Sequence, residues 1–144
     1  MNLECKLGYI ELTFNILEYV RNKMPSIMMD TKISLIHRTG KFTYTSNDIW
    51  FDQDDFLSFS RQVNDLRNGA STTQEAVFED LSSYLQIRIK AEKNHFRIKL
   101  FIKEPETGRG TCELVSNFDL DIDADDLAVF SEKINSFYKL ISSQ

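Results

Sequence analysis

From Gly8 to Tyr19 the chain alternates: Ile10, Leu12, Phe14 and Ile16 fall on one side, Glu11, Thr13 and Asn15 on the other. A period of two is that of a strand with one buried and one wet face. Lys32 to Arg38 repeats the pattern with Ile33 and Leu35 inward. Gly40 then turns the chain into a third strand, in which Phe42 and Tyr44 alternate with Thr43 and Thr45. Between the first two strands, Arg21 to Asp30 contains Pro25 and loses the alternation, which predicts a connection. Ile27, Met28 and Met29 make it apolar for a loop.

The period changes in DQDDFLSFSRQVNDLRNG, where Phe56, Phe59, Val63 and Leu66 recur at three- and four-residue steps on one helical face. Asp52 or Asp54 can cap its start, and Gly69 can end it in a left-handed turn. A short strand is expected over Ala76 to Glu79. Leu85, Ile87 and Ile89 then alternate with Gln86, Arg88 and Lys90, and Lys93-Asn94 makes a tight turn. Phe96, Ile98, Leu100 and Ile102 next alternate with Arg97, Lys99 and Phe101. After EPETGRG, a last strand puts Leu114, Ser116, Phe118, Leu120 and Ile122 on one face. A second helix from about Asp123 carries the stripe Leu127, Phe130, Ile134, Phe137 and Ile141.

No βαβ rhythm appears, no repeat of solenoid type and no break in composition. The expected architecture is α+β: a mainly antiparallel sheet of six to seven strands with two helices, one mid-chain and one C-terminal, packed on its apolar face. One domain should span residues 1–144.

Composition refines the picture in three places. The chain is 42% hydrophobic with eleven Phe, enough for a core without staples, and no window approaches a membrane span. The N-terminus alternates polar and apolar residues where a secretory signal would be a continuous apolar block. A cytoplasmic, membrane-free protein is therefore expected, with Cys5 and Cys112 as reduced packing or surface residues. The net charge of −5 argues against nucleic acid as a partner.

The chemistry-bearing strings resolve into structural roles. DLDIDADD opens like a calcium loop, but the loop's glycine and final glutamate positions hold Ala124 and Phe130. Asp119 and Asp121 are instead the outward residues of a strand, and the later aspartates cap the following helix. His37 and His95 stand apart from any cluster at ligand spacing, no nucleophile elbow exists, and TGRG lacks the context of a phosphate loop. The expectation is a protein without catalytic residues, metal or cofactor.

The outward charges are harder to dismiss. A two-residue turn at Lys93-Asn94 sets Arg88 opposite Lys99 and Lys90 opposite Arg97, like charges that repel across a sheet. A hairpin through EPETGRG would set Lys103 opposite Glu113 and Arg97 opposite Asp119. The result is a basic stripe bordered by an acidic one. Two readings follow: a solvated, self-neutralised face, or a charged recognition surface.

The stretch from about Tyr84 to Leu140 resembles the WapI-type immunity proteins of bacterial contact-dependent toxin systems. The likeness lies in YLQIRIKAE paired with HFRIKLFIKE, the turn with Gly108 and Gly110, a strand ending FDLDID, and the spacing of Asp126, Leu127 and Phe130. It continues more loosely through the opening I-x-L-x-F strand and the helix starting in DQDDFLSF. The resemblance implies a cytosolic protein that binds and blocks a toxin domain made by the same cell. Its candidate contact residues here are Glu104, Glu106, Asp119 and Asp121, with Arg88, Lys90, Arg97 and Lys99 as the competing basic patch. The alternative is a non-catalytic adaptor or structural module using the apolar segment Met24 to Met29.

Overall fold

The computed structural model describes residues 1–70, 72–103 and 115–143. Four antiparallel strands, β1 (Asn2–Leu7), β2 (Ile10–Val20), β3 (Ser26–His37) and β4 (Gly40–Asp52), lead into helix α1 (Gln53–Arg67). The same course follows again: β5 (Glu75–Glu79), β6 (Leu85–Ala91), β7 (Phe96–Lys103), β8 (Val115–Ile122) and helix α2 (Ala124–Ser142). The strands form two four-stranded sheets, β1-β2-β3-β4 and β5-β6-β7-β8, instead of the single six- or seven-stranded sheet expected from the pattern.

Two segments account for the difference. The N-terminal alternation buries Leu3, Cys5 and Leu7 and pairs as β1 along β2. The apolar stretch after Pro25 is no connection: it is the start of β3, where Ile27 and Met29 are buried. Of the contact imagined for an adaptor, Met24 is exposed, while Ile27 and Met29 belong to the core. With β3 and β4 extended in this way, the first sheet is complete before α1 begins, and β5 has to start a new one.

Both helices begin as expected. The Asp52 carboxylate accepts from the amides of Asp54 (2.8 Å) and Asp55 (3.1 Å), and Asp123 accepts from Asp126 at 2.8 Å. Each such cap satisfies amides left orphaned at a helix start and is worth about 1 kcal/mol. Gly69, at φ 68°, follows the last turn of α1 in the left-handed region.

The two helices contact each other in antiparallel sense through Phe56–Phe137 and Phe59–Phe130, with ring centroids 5.7 and 6.2 Å apart. Buried Ser60 keeps that seam narrow and donates to Asn135 Oδ1 at 3.4 Å. Phe78 of β5 is the hub of the core, with Phe14, Phe51, Phe56 and Phe59 around it at 4.8–6.2 Å. Buried side chains from both sheets and both helices join in one cluster. Each fully buried Phe contributes roughly 1.5–3 kcal/mol by leaving water.

The second half repeats the first in sequence as well as in course. Asp52-Gln-Asp-Asp-Phe-Leu-Ser-Phe-Ser-Arg-Gln-Val-Asn-Asp-Leu66 aligns with Asp123-Ala-Asp-Asp-Leu-Ala-Val-Phe-Ser-Glu-Lys-Ile-Asn-Ser-Phe137. Cap, first-turn acids, the Phe-Ser pair and the Asn coincide. The halves interlock: α1 packs along β5 and α2 along β1, so each helix covers the first strand of the other half. Equivalent residues guard those edges. Gln62 Oε1 accepts from the Val77 amide at 3.0 Å, and Lys133 Nζ donates to the Glu4 carbonyl at 2.9 Å. Capping an edge in this way denies a foreign strand its pairing groups. No described helix is long and apolar enough to cross a membrane.

Candidate binding surfaces

The outer face of the second sheet carries most of the charged residues singled out in the sequence. Arg88 lies opposite Lys99 and Lys90 opposite Arg97, as the two-residue turn requires. The β7–β8 register differs from expectation by two residues: Arg97 pairs with Asp121, Lys99 with Asp119 and Lys103 with Val115. A slide of two keeps the apolar residues inward, because side chains alternate with that period. Alternation alone could not therefore choose between the two registers. Glu104, Glu106 and Glu113 lie outside the described residues, as does Cys112.

Across this face the rows read Glu75–Lys90–Arg97–Asp121 and Val77–Arg88–Lys99–Asp119. The basic stripe is thus bordered by acids on both flanks, the second flank coming from β5, whose Glu75 lay just outside the strand expected there. The like-charge conflict at the centre is relieved sideways. Arg88 reaches Glu75 Oε1 (3.1 Å) and Gln86 Oε1 (2.9 Å). Arg97 Nε lies 3.1 Å from Asp119 and 3.6 Å from Asp121, close enough for an ion pair though not aligned as a hydrogen bond. Lys90 and Lys99 make no ion pair among the described residues. Half-buried Phe101 and Phe118 line a shallow cleft of about 290 Å³ with Arg88, Lys99 and Asp119.

A second site, not singled out in the sequence, forms where the edge strand β4 meets the β5–β6 loop. Opposite β3 the pairing passes from Met29–Ile49 to Thr31–Ser46, so Asn47 and Asp48 bulge out of the ladder. Asp48 adopts φ 58°, which Asp tolerates better than most residues, and its amide donates to Asp30 Oδ1 at 3.2 Å. The facing loop is held from inside by Asp80, only 4% exposed, whose carboxylate accepts from Ser82 (3.1 Å) and Leu85 (2.8 Å) amides. The Leu81 amide joins the loop to the Trp50 carbonyl at 2.9 Å. Between strand and loop lies a crevice of about 330 Å³ whose walls include Trp50, Tyr44, Tyr84, Asp48 and Asp80, with no Lys, Arg or His among the described lining residues. Trp50 is the only tryptophan of the chain. That fact was the available signal, but periodicity gives no hint that its strand is an edge.

The repeat places a counterpart at the other seam, where Gly8 approaches β8. A Cβ on Gly8 would stand 3.7 Å from the Asp121 carbonyl, and its φ of 59° suits glycine. Here the wide depression is lined by Tyr9, His95, Asp121, Asp123 and Asp126, and His95 Nε2 sits 3.1 Å from Asp121. The DLDIDADD string divides as expected: Asp119 and Asp121 face outward on β8, and Asp123 caps α2. His37 bonds Thr39 at the β3–β4 turn instead of joining any cluster.

Among the described residues no three His, Cys, Asp or Glu side chains converge to hold a metal ion. Burial pushes the Cys5 thiol up to about 12, against a smaller opposing pull from Lys133, so it stays protonated and unreactive at neutral pH. The Asp55 carboxyl is raised by partial burial first and then by Asp52, Asp54 and Glu79, a crowd of acids at the start of α1.

A model of the immunity protein WapI-like family matches residues 7–140 of this chain. The match runs from the end of β1 through all of α1 and most of α2, and the chain belongs to that family. No curated protein and no solved structure matches it.

Proposed function

We propose that this member of the WapI-like immunity family binds one toxin domain made by the same cell and neutralises it, in the cytoplasm, by occluding its working surface. The observation that carries the reading is the family match over residues 7–140. The architecture supports it. Interlocked halves around one aromatic cluster present preformed faces, which reduces the ordering cost of association. A net charge of −5 suits a basic partner, and complementary fields speed encounter more than they deepen affinity.

Such a protein acts by stoichiometry, not turnover. Contact is proposed through the outer face of the second sheet: Asp119 and Asp121, with Glu104 and Glu106 of the adjoining segment, for a basic partner. The unpaired Lys90 and Lys99, with Arg88 and Arg97, would serve an acidic one. Co-expression with the toxin domain of the adjacent reading frame tests the proposal. Cells should survive, and an equimolar complex should elute from size exclusion with the toxin intact. Death of cells that contain ample folded protein, with no complex in vitro, sinks it.

A further inference from the structure

Of the four outer strand edges, β1 and β5 are guarded by Lys133 and Gln62. The β4 edge is tied at one point, where the Leu81 amide donates to the Trp50 carbonyl, and it is bulged at Asn47–Asp48, which spoils it as a template for an added strand. A partner meeting this edge must therefore engage side chains in the crevice and cannot simply extend the sheet. That crevice combines two things. Its aromatic walls, Trp50 and Tyr84, are residue types that dominate binding energy at interfaces. Its carboxylates, Asp48 on the rim and Asp80 below, face no basic residue among the described lining.

A cation placed there gains twice, from the ring faces and from the carboxylates. An anionic side chain is repelled, and a neutral apolar one gives the Asp48 carboxylate nothing to pair with. Both walls are preset by geometry that does not await a ligand: the bulge is tied to Asp30, and the loop is tied by buried Asp80 to its own amides.

We infer that this crevice is the anchor point of the complex, receiving an arginine or lysine side chain from the toxin domain against Trp50, Tyr84 and Asp48. The inference rests on the immunity reading above and adds to it a place and a chemistry. Tyr84 also links the crevice to the charged outer face, since it stands in the loop directly before β6, two residues from Gln86 and four from Arg88. One bound domain can therefore cover both.

Because Trp50 is the only tryptophan, chain labelled with 5-fluorotryptophan gives one fluorine resonance, and it reports on this crevice alone. Addition of an inactivated toxin domain should move that resonance. Asp48→Asn keeps the backbone freedom of the bulge and removes the charge, so it should weaken the complex about tenfold with an unchanged melting temperature. Asp48→Lys should weaken it by at least ~30-fold. Trp50→Phe keeps a ring in the wall but removes the better cation-binding face, and should fall between the two. A toxin domain that binds wild type and all three variants equally, with the fluorine resonance unmoved, overturns the crevice while leaving the immunity reading intact. A toxin domain that binds no form of the protein overturns both.

Discussion

The first and second halves of the chain follow the same course, four antiparallel strands and a helix, but they differ on the outer faces of their sheets and at the two seams. The correspondence is strongest in the helices, where Asp52 and Asp123, Phe59 and Phe130, Ser60 and Ser131, and Asn64 and Asn135 coincide. The Phe-Ser pairs are buried where α1 crosses α2, and the aspartates hold helix starts. Outside, the likeness ends. The outer rows of the first sheet are mild, such as Glu4–Thr13–Lys32–Thr45, whereas those of the second run through Lys90–Arg97–Asp121. One seam is a crevice walled by Trp50, and the other is an open depression around Tyr9 and His95. Interlocking explains the division. Each helix must fit the other half's first strand, so the buried repeat is constrained twice, while outward residues are free to specialise.

The comparison breaks first if either half is self-sufficient. Because α1 packs along β5 and α2 along β1, residues 1–70 produced alone should lack a cooperative thermal transition and expose apolar surface to dye. A sharp transition in that fragment would show that the interlock is ornamental. Within the full chain, Phe59→Ala and Phe130→Ala occupy equivalent places and should each cost about 3–5 kcal/mol in urea unfolding. If either one melts near wild type, the shared core is not centred on the helix seam.

Smaller effects sharpen the comparison. Asp52→Ala should cost more than Asp123→Ala, since Asp52 accepts from two amides and Asp123 from one, with both near ~1 kcal/mol. The reverse order would mean that crowding by Asp54 and Asp55 outweighs the second bond. Reversing Asp119 and Asp121 to Lys should change stability by less than about 1 kcal/mol, since these are exposed ion pairs. The same change should slow toxin association at low salt, and the slowing should fade as salt rises. An unchanged on-rate would remove these two acids from the contact.

The smallest effect concerns Asp55, whose carboxyl is raised above the usual 3.8. The folded state then holds that proton more tightly than the unfolded one. Ionisation therefore works against folding: the penalty is absent below the unfolded value and complete once pH passes the folded value. Asp55→Asn should gain stability relative to wild type as pH rises through that window. A difference that stays flat with pH, measured by urea midpoints, would contradict the acid crowding at the start of α1.

How much was legible beforehand depended on the range of the interaction that decided each feature. The helices, their aspartate caps and the meander from Leu85 to Ile122 follow from periodicity and capping, which act over a few residues. The outward placement of Arg88, Lys90, Arg97, Lys99, Asp119 and Asp121 follows from alternation in the same way. The repeat of the helix motif was present in the letters as well, but a search for solenoid periods does not look for two long copies.

Pairing is another matter. Alternation tells which side of a strand is wet, not which strand lies beside it, and it is blind to a slide of two residues. Only the tertiary structure decided that β5 opens a second sheet, that Arg97 stands opposite Asp121, and that Ile27 and Met29 close a core instead of meeting a partner. It alone brought Trp50 and Asp48 to Asp80 and Tyr84, far along the chain, because that meeting depends on a bulge, a helix and a loop fitting together. The sequence by itself determined the faces of this protein, since those are set locally by each residue's preference for water; the edges and the crevice between them arose where distant elements met.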